Sequence, residues 1–428
     1  MGILESISGG LKRRARGAEG SNLLGALDIG SSNISCLVVR KDGGNDGAWE
    51  VVGASRRMSA GIQAGRIVDM GTAEATIRAC VDAAEQIAGG RVRSLVVGFS
   101  CGAPQGRMIS LSTRLNGSVV RDEDVVWLLR QGCERNLRAG RTSVHAIPCS
   151  FRIDDSETVR DPRGMFARTL HADIHIIDAK ANVLQNLTAC IRRCHLDIER
   201  LVVASYASGL SVLSSDETDL GAICIDLGGG SSQVSMFFGG ALVHIDETHL
   251  GSQYITNDIA RGIPTQLGQA ERLKTLHGGV FEDPADASEM VSCAKPGEEE
   301  DSEMHQISRA SLINIIRPRL EEIFETIRER LRQNSYYDLV GRCIVLTGGG
   351  ASLTGARELA SNIFNTEVRV GQPSWINGLP KAMCGPDSTV VVGLLSCIQQ
   401  TNNTDIITNT GVTSVMKRIA SWLRASNN

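Results

Sequence analysis

Aromatic side chains are scarce in this chain of 428 residues: four Trp, four Tyr and eight Phe, 4% in all. Apolar residues still make up 42%, so the cores must be aliphatic. No run approaches the about 18 apolar residues of a spanning helix; the densest, 390–398, is nine residues long and is broken by Gly393 and Ser396. Lys and Arg (44) do not exceed Asp and Glu (48), which argues against a general nucleic-acid binder. There is no CxxC pair among the twelve cysteines; Cys190 and Cys194 have no matching pair elsewhere. The spacing is wrong for zinc and right for small buried hydrophobes in a reducing compartment. The beginning of the chain lacks the charged, apolar, small-residue order of a secretory signal. A GxxxxGK[ST] motif is also missing, which excludes a P-loop enzyme.

What is present is unevenly distributed. The net charge of -4 conceals a basic stretch at 1–22 (+2), an acidic one at 282–303 (-8) and a second basic one at 412–428 (+3). The length suits two to four subdomains. Short aliphatic strands are predicted at 23–28, 34–39 and 94–98, alternating with helical patterns such as 72–88, so the body reads as mixed α/β. A second set of strands follows at 222–226, 233–238 and 241–247. Residues 312–331 place apolar side chains at 312, 313, 316, 320, 323, 324, 327 and 331, a long amphipathic helix kinked or started by Pro318. Segment 282–303 reads as a solvated loop and 399–411 as a polar linker.

The sequence also repeats itself. LDIGSSNIS begins at Leu27 and IDLGGGSSQVS at Ile225, each a strand, an Asp, a Gly turn, small hydroxyl residues and a second strand. The two Asp residues are 198 positions apart, which fits a duplicated domain with a cleft between its halves. Glycine lets such a turn bring peptide N–H groups up to phosphate oxygens. Ser31, Ser32, Ser231 and Ser232 add hydroxyl donors. Asp28 and Asp226 would repel phosphate unless Mg²⁺, mostly through its waters, lay between. Two facing hairpins could clamp a triphosphate tail, whereas one alone is a common turn. A third glycine run, Gly348, Gly349 and Gly350, follows a strand and suits close approach to a flat base or an α-phosphate. The competing reading is an ordinary strand-to-helix turn, but three glycines cost entropy with no expected packing return.

In their order DIGSSN (28–33), DLGGGSS (226–232) and LTGGGA (346–351), these elements resemble the two phosphate loops and the adenosine motif of the actin-like ATPase superfamily. LVVASYASGLSVL (201–213) and STVVVGLL (388–395) resemble its two connecting segments, helices that cross at the hinge. Within the superfamily the chain resembles the bacterial division family FtsA over nearly all of its length. HAIPCSFRID (145–154) and DPRGMFARTLHADIHII (161–177) resemble that family's subdomain 1C. TNDIA (256–260) and AERLKTLHG (270–278) resemble its subdomain 2B, and IVLTGGGASLTG (344–355) with VRVGQP (368–373) completes the match.

The resemblance implies an actin-like (ribonuclease H-like) duplicated fold with a 1C insert, a 2B subdomain and a C-terminal amphipathic helix. The implied division is a flexible basic tail (1–22), 1A (23–99, 178–214 and 380–398), 1C (100–177), 2A (215–250 and 316–379), 2B (251–315), a linker (399–411) and the terminal helix (412–428). It implies ATP with Mg²⁺ as cofactors. Asp28, Gly30, Ser31 and Ser32 become the first phosphate loop, and Asp226, Gly228, Gly229, Gly230 and Ser231 the second. The two Asp residues position Mg²⁺ through water. Glu271 and Lys274 take the ribose or base, and Gly348, Gly349 and Gly350 the adenine side; without the family, Glu271 and Lys274 read as an exposed i,i+3 ion pair. Two departures point to slow hydrolysis at most. Asn33 stands where the family often has Lys, and 201–213 holds no Glu or Gln to orient a water.

The last segment carries an apolar stripe, Val412, Val415, Met416, Ile419, Trp422 and Leu423, with Lys417, Arg418 and Arg424 off it and no acid. Such a stripe can dock on the protein body or lie in an anionic membrane interface. The resemblance favours a membrane anchor. MGILES fits a short myristoylation pattern that bacteria do not use, so 1–22 reads as a tail. The implied function is a peripheral protein on the cytoplasmic face of the inner membrane, at the division septum. It polymerises with itself, tethers the tubulin-like FtsZ and helps recruit other divisome proteins. Arg319 resembles a residue that receives the acidic FtsZ tail; by itself it reads as a surface Arg. The alternatives are a phosphotransferase or phosphatase on the same fold, or a type IV pilus adaptor.

Overall fold

The computed structural model describes residues 23–41, 49–135, 138–155, 158–293, 305–399 and 406–407. The basic tail expected at 1–22 and the terminal helix expected at 412–428 lie outside them. Two five-stranded sheets carry the same topology. The first runs Asp197–Val203, Ser94–Phe99, Leu23–Ile29, Asn33–Lys41, Trp49–Met58 across the sheet. The second runs Val368–Val370, Ile344–Thr347, Ala222–Leu227, Ser232–Phe238, Ala241–Thr248. In each, the first three strands are parallel and the last two antiparallel to their neighbours. The register repeats as well: Asp28 faces Ser35, and Asp226 faces Gln233. The duplication read from two short motifs is therefore a duplication of whole sheets.

Each half closes over its own aliphatic core. In the first, Ile77, Cys80, Val81 and Ala84 of the Met70–Ala88 helix lie over the strands Asn33–Lys41 and Trp49–Met58, in one core with Ile34, Cys36 and Val38. In the second, the helix Arg309–Arg332 buries Leu312, Ile313, Ile316, Leu320, Ile323, Phe324, Ile327 and Leu331. These are the eight apolar positions of the sequence stripe. Pro318 neither starts nor ends this helix. It removes the N–H that would bond the carbonyl of Asn314, and both residues lie on the exposed face of the helix.

Along the chain, between the strands Ser94–Phe99 and Asp197–Val203, lies an inserted sheet, with Phe166–Lys180 between Arg141–Ile153 and Gln105–Val119. The helix Asp122–Arg135 covers one face with Val125, Leu128 and Leu129, against Leu170, Ile174 and Ile176. This insert also reaches the second half: the Cys149 thiol lies 3.5 Å from the carbonyl oxygen of Leu242, and Arg160 pairs with Asp219.

The helices Ala204–Val212 and Thr389–Gln399 cross between the halves. Gly393 makes this possible, because a Cβ there would stand 1.8 Å from the carbonyl oxygen of Ala207.

Two readings need correction. Segment 282–303 is not wholly a solvated loop. It contains the 3-10 turn Pro284–Ala287 and the strand Met290–Cys293, paired with His305–Ser308, while 294–304 lie outside the described residues. Its acids misled because they are not all solvated: Asp286 is buried against Arg309. The polar stretch 399–411 is not linker throughout. Ile406–Ile407 pairs antiparallel with Ala146 and His145 on the edge of the inserted sheet. The cysteines are free, and nine of the twelve are buried.

Candidate functional site

The two Asp–Gly hairpins have loops of equal length, 30–33 and 228–231, closing between Ile29 and Ile34 and between Leu227 and Ser232. The loops confront each other. A Cβ on Gly229 would meet the Ser32 hydroxyl at 2.1 Å, and one on Gly230 the Ser31 hydroxyl at 2.5 Å. The carbonyls of Gly228 and Gly229 accept the N–H groups of Ser252 and Gln253 at 2.8 and 2.9 Å. This ties the second loop to the start of the helix Ser252–Gly262. Among the described residues, the peptide N–H groups of Ser31, Ser32, Gly229 and Gly230 have no backbone acceptor. Unpaired donors in glycine turns are what phosphate oxygens require.

Asp28, Gly30, Ser31, Ser32, Asp226, Gly228, Gly229, Gly230, Ser231, Glu271, Lys274, Gly348, Gly349 and Gly350 all line one cavity of about 400 Å³. Residues from four separate stretches of sequence thus meet at one place. Burial, and then the charge of Asp226, push the Asp28 carboxyl up to about 7 against the pull of Arg56. Burial pushes Asp226 to about 7 against the Ser208 hydroxyl. Two cleft carboxyls that resist ionising fit a divalent cation, whose charge would restore both. Among the described residues no cluster of three or more His, Cys, Asp or Glu could hold a metal. A cation here would therefore rest on these two acids, water and phosphate, as hydrated Mg²⁺ does.

The Gly348–Gly350 run does have a packing return. Gly348 has φ +84, and its Cβ would come 2.3 Å from the Asp226 carboxylate; that of Gly350 would come 2.5 Å from Leu227. These glycines let the third turn press against the second hairpin. Gly349 has only the Asp387 Cβ, at 3.9 Å, nearby, so it can face a ligand. Lys274 Nζ is 2.8 Å from Glu271, donates to Thr256 Oγ1 at 2.9 Å and reaches the carbonyl of Ser252 at 3.3 Å. The pair expected on one helix face is thus tied to the helix that buttresses the second loop. Asn33 lines the cavity, and its carbonyl accepts the Gly30 N–H at 3.1 Å.

Several residues escaped the sequence reading. Arg56 pairs with Asp387 and donates to Ser388 at 2.5 Å, and Asp387 and Arg309 line the cavity. Arg56 and Arg309 stand in no motif and Asp387 falls one residue before STVVVGLL, so the tertiary fold brings them in. Arg319 stands away from this cavity, held by Asp258 and Glu322.

Two sheets of one topology, crossing helices and a cleft between paired Asp–Gly hairpins define a protein of the actin-like ATPase fold. Solved structures agree on the fold. The PilM–PilN type IV pilus biogenesis complex aligns at TM-score 0.63 and 17% identity, covering 87% of this chain and 98% of that one. MreB5 of Spiroplasma citri bound to ADP aligns at TM-score 0.54 and 12% identity, covering 89% and 97%. Among sequences, the cell division protein FtsA of Rhizobium meliloti (strain 1021) is 35% identical over 441 residues, 100% of both chains. That of Escherichia coli (strain K12) is 28% identical over 419 residues, covering 94% and 97%. The family model for cell division protein FtsA matches residues 223–393, and the model for the SHS2 domain inserted in FtsA matches 104–178. The chain belongs to the FtsA family of cell division proteins.

Proposed function

We propose that this protein binds Mg·ATP in the cleft, polymerises on the cytoplasmic face of the inner membrane, and holds FtsZ filaments there at the septum while other divisome proteins are recruited. The observation that carries the reading is the convergence of both Asp–Gly–Ser hairpins and the third glycine turn on one cavity, in a chain of the FtsA family. The loop N–H groups and the Ser31, Ser32 and Ser231 hydroxyls would hold phosphates. Asp28 and Asp226 would hold Mg²⁺ through water, supplying the charge that screens them from the phosphates. Glu271 and Lys274 would take the ribose or base, and Gly349 would approach the adenine. The subdomain division given above accompanies this reading.

Nucleotide acts here as a structural switch with slow turnover at most. Every residue of the helix Ala204–Val212 is Ala, Ser, Tyr, Gly, Leu or Val, none of which can serve as a carboxylate or amide to orient a water. No helix among the described residues is long and apolar enough to cross a membrane, so attachment falls to the stripe at 412–428. Arg319 is the proposed contact for an acidic FtsZ tail, which would have to join or displace Asp258 and Glu322.

Co-sedimentation on anionic liposomes with Mg·ATP, with and without FtsZ, tests the reading. FtsZ is expected in the lipid fraction only when this protein is present. Its absence from that fraction would refute the adaptor function, and rapid phosphorylation of a small acceptor would favour an enzyme instead.

A further inference from the structure

The acidic segment after residue 282 is anchored at the rim of the cavity. Asp286 is 2% exposed. One of its oxygens accepts the Asp283 N–H at 2.7 Å, and the other takes Arg309 Nη1 at 2.8 Å. Glu289 takes the same Nη1 at 3.3 Å, and Arg309 Nε donates to the carbonyl of His277 at 3.2 Å. The Arg309 N–H itself donates to the Glu289 carbonyl at 2.9 Å. A guanidinium at the first turn of the long helix is thus fixed in place, and it lines the cavity with Lys274, Gly278 and Leu353.

Charge decides what this Arg can bind. A free Arg beside a nucleotide is ordinarily a phosphate ligand. Arg309 is already compensated by two carboxylates, and its contacts are with 277–289, not with either hairpin loop. What remains available is a flat cationic face and the donors of Nη2, which suit a neutral heteroaromatic ring. We propose that Arg309, held by Asp286 and Glu289, packs its guanidinium against the base of a bound purine nucleotide. The folded end of the acidic segment then belongs to the nucleotide site. This rests on the nucleotide reading above.

Calorimetric titration of the full chain with Mg·ATP, Mg·ADP and magnesium inorganic triphosphate tests it. Arg309→Lys keeps a cation beside Asp286 but loses the plane, so the fold is retained. The expected result is about tenfold weaker binding of ATP and of ADP alike, with inorganic triphosphate unchanged. Asp286→Asn, which frees the guanidinium, should produce a smaller loss in the same pattern. Unchanged nucleotide binding in Arg309→Lys overturns the proposal. So does a loss confined to ATP, or one shared with triphosphate, since either marks a phosphate contact or a general collapse. A parent chain that binds neither nucleotide overturns the underlying reading, and this one with it.

Discussion

At the scale of single residues, the cleft is built on groups held out of their ordinary ionisation. Asp28 and Asp226 hold protons up to about 7 in the folded protein, whereas the unfolded chain releases them near 3.8. Between those values the folded state binds more protons, so this contribution to stability falls as pH rises from about 4 to 7 and is flat above. Asp226→Asn removes the penalty. Without Mg²⁺ or nucleotide at pH 8, the variant should unfold ~1–2 kcal/mol later than the parent, with the gain gone at pH 4, and Mg·ATP should no longer raise its melting temperature. Thermal melts across that range decide it; a variant no more stable than the parent at pH 8 contradicts the account. His145 works in the opposite direction. It is fully buried, its Nε2 accepts the Val203 N–H at 3.0 Å where the helix Ala204–Val212 begins, and burial pushes its imidazole down to about 3. Its contribution is complete above pH 6.5 and is lost as pH falls toward 3. His145→Ala should cost ~2–4 kcal/mol at neutral pH in urea titrations, and the difference from the parent should shrink below pH 6. An equal cost at pH 7 and pH 4 would mean that packing alone explains it.

At the scale of elements, the crossing of the helices Ala204–Val212 and Thr389–Gln399 depends on one missing side chain. All three nearest neighbours of a Cβ at Gly393 would be backbone atoms of Ala207, which no rotamer change can relieve. Gly393→Ala should therefore cost ~2–3 kcal/mol by denaturant titration. It should also weaken nucleotide binding, because Thr389 and Val390 of the same helix line the cavity. Gly71→Ala is the control. It stands in the first turn of a helix with the nearest foreign atom at 3.7 Å, and should be neutral or slightly stabilising. Elements of this kind were largely legible in the sequence. Short aliphatic runs marked the strands beside each Asp, and a period near 3.6 marked the long helix down to its eight buried positions. What was not legible depends on distant partners. Asp286 looks like one acid among nine until the fold sets Arg309 beside it. Residues 406–407 look like linker until the edge of the inserted sheet is there to pair with. The glycines at 348 and 350 looked free for a ligand because the hairpin they press against begins more than 100 residues earlier.

At the scale of the whole molecule, the proposed membrane contact is assigned to a segment apart from the folded body. The described residues close over three large aliphatic cores and carry no spanning helix. The segment 412–428 carries three cations, no acid and one stripe of six apolar residues. Six such residues in an interface bind weakly as a single copy, and salt would screen most of what the cations add. A polymer presents many stripes to one surface, and binding then rises by orders of magnitude through effective concentration rather than through new contacts. Attachment should therefore track assembly. Flotation with anionic vesicles should recover the full chain strongly under polymerising conditions and poorly as a monomer. Deletion of 412–428 should abolish recovery in both states without altering the melting temperature of the body. Vesicles lacking anionic lipid should recover less of the polymer, and raised salt should act in the same direction. Recovery of the truncated chain equal to that of the full chain, at matched polymer state, would place the membrane contact on the folded body and leave the terminal stripe to dock on protein.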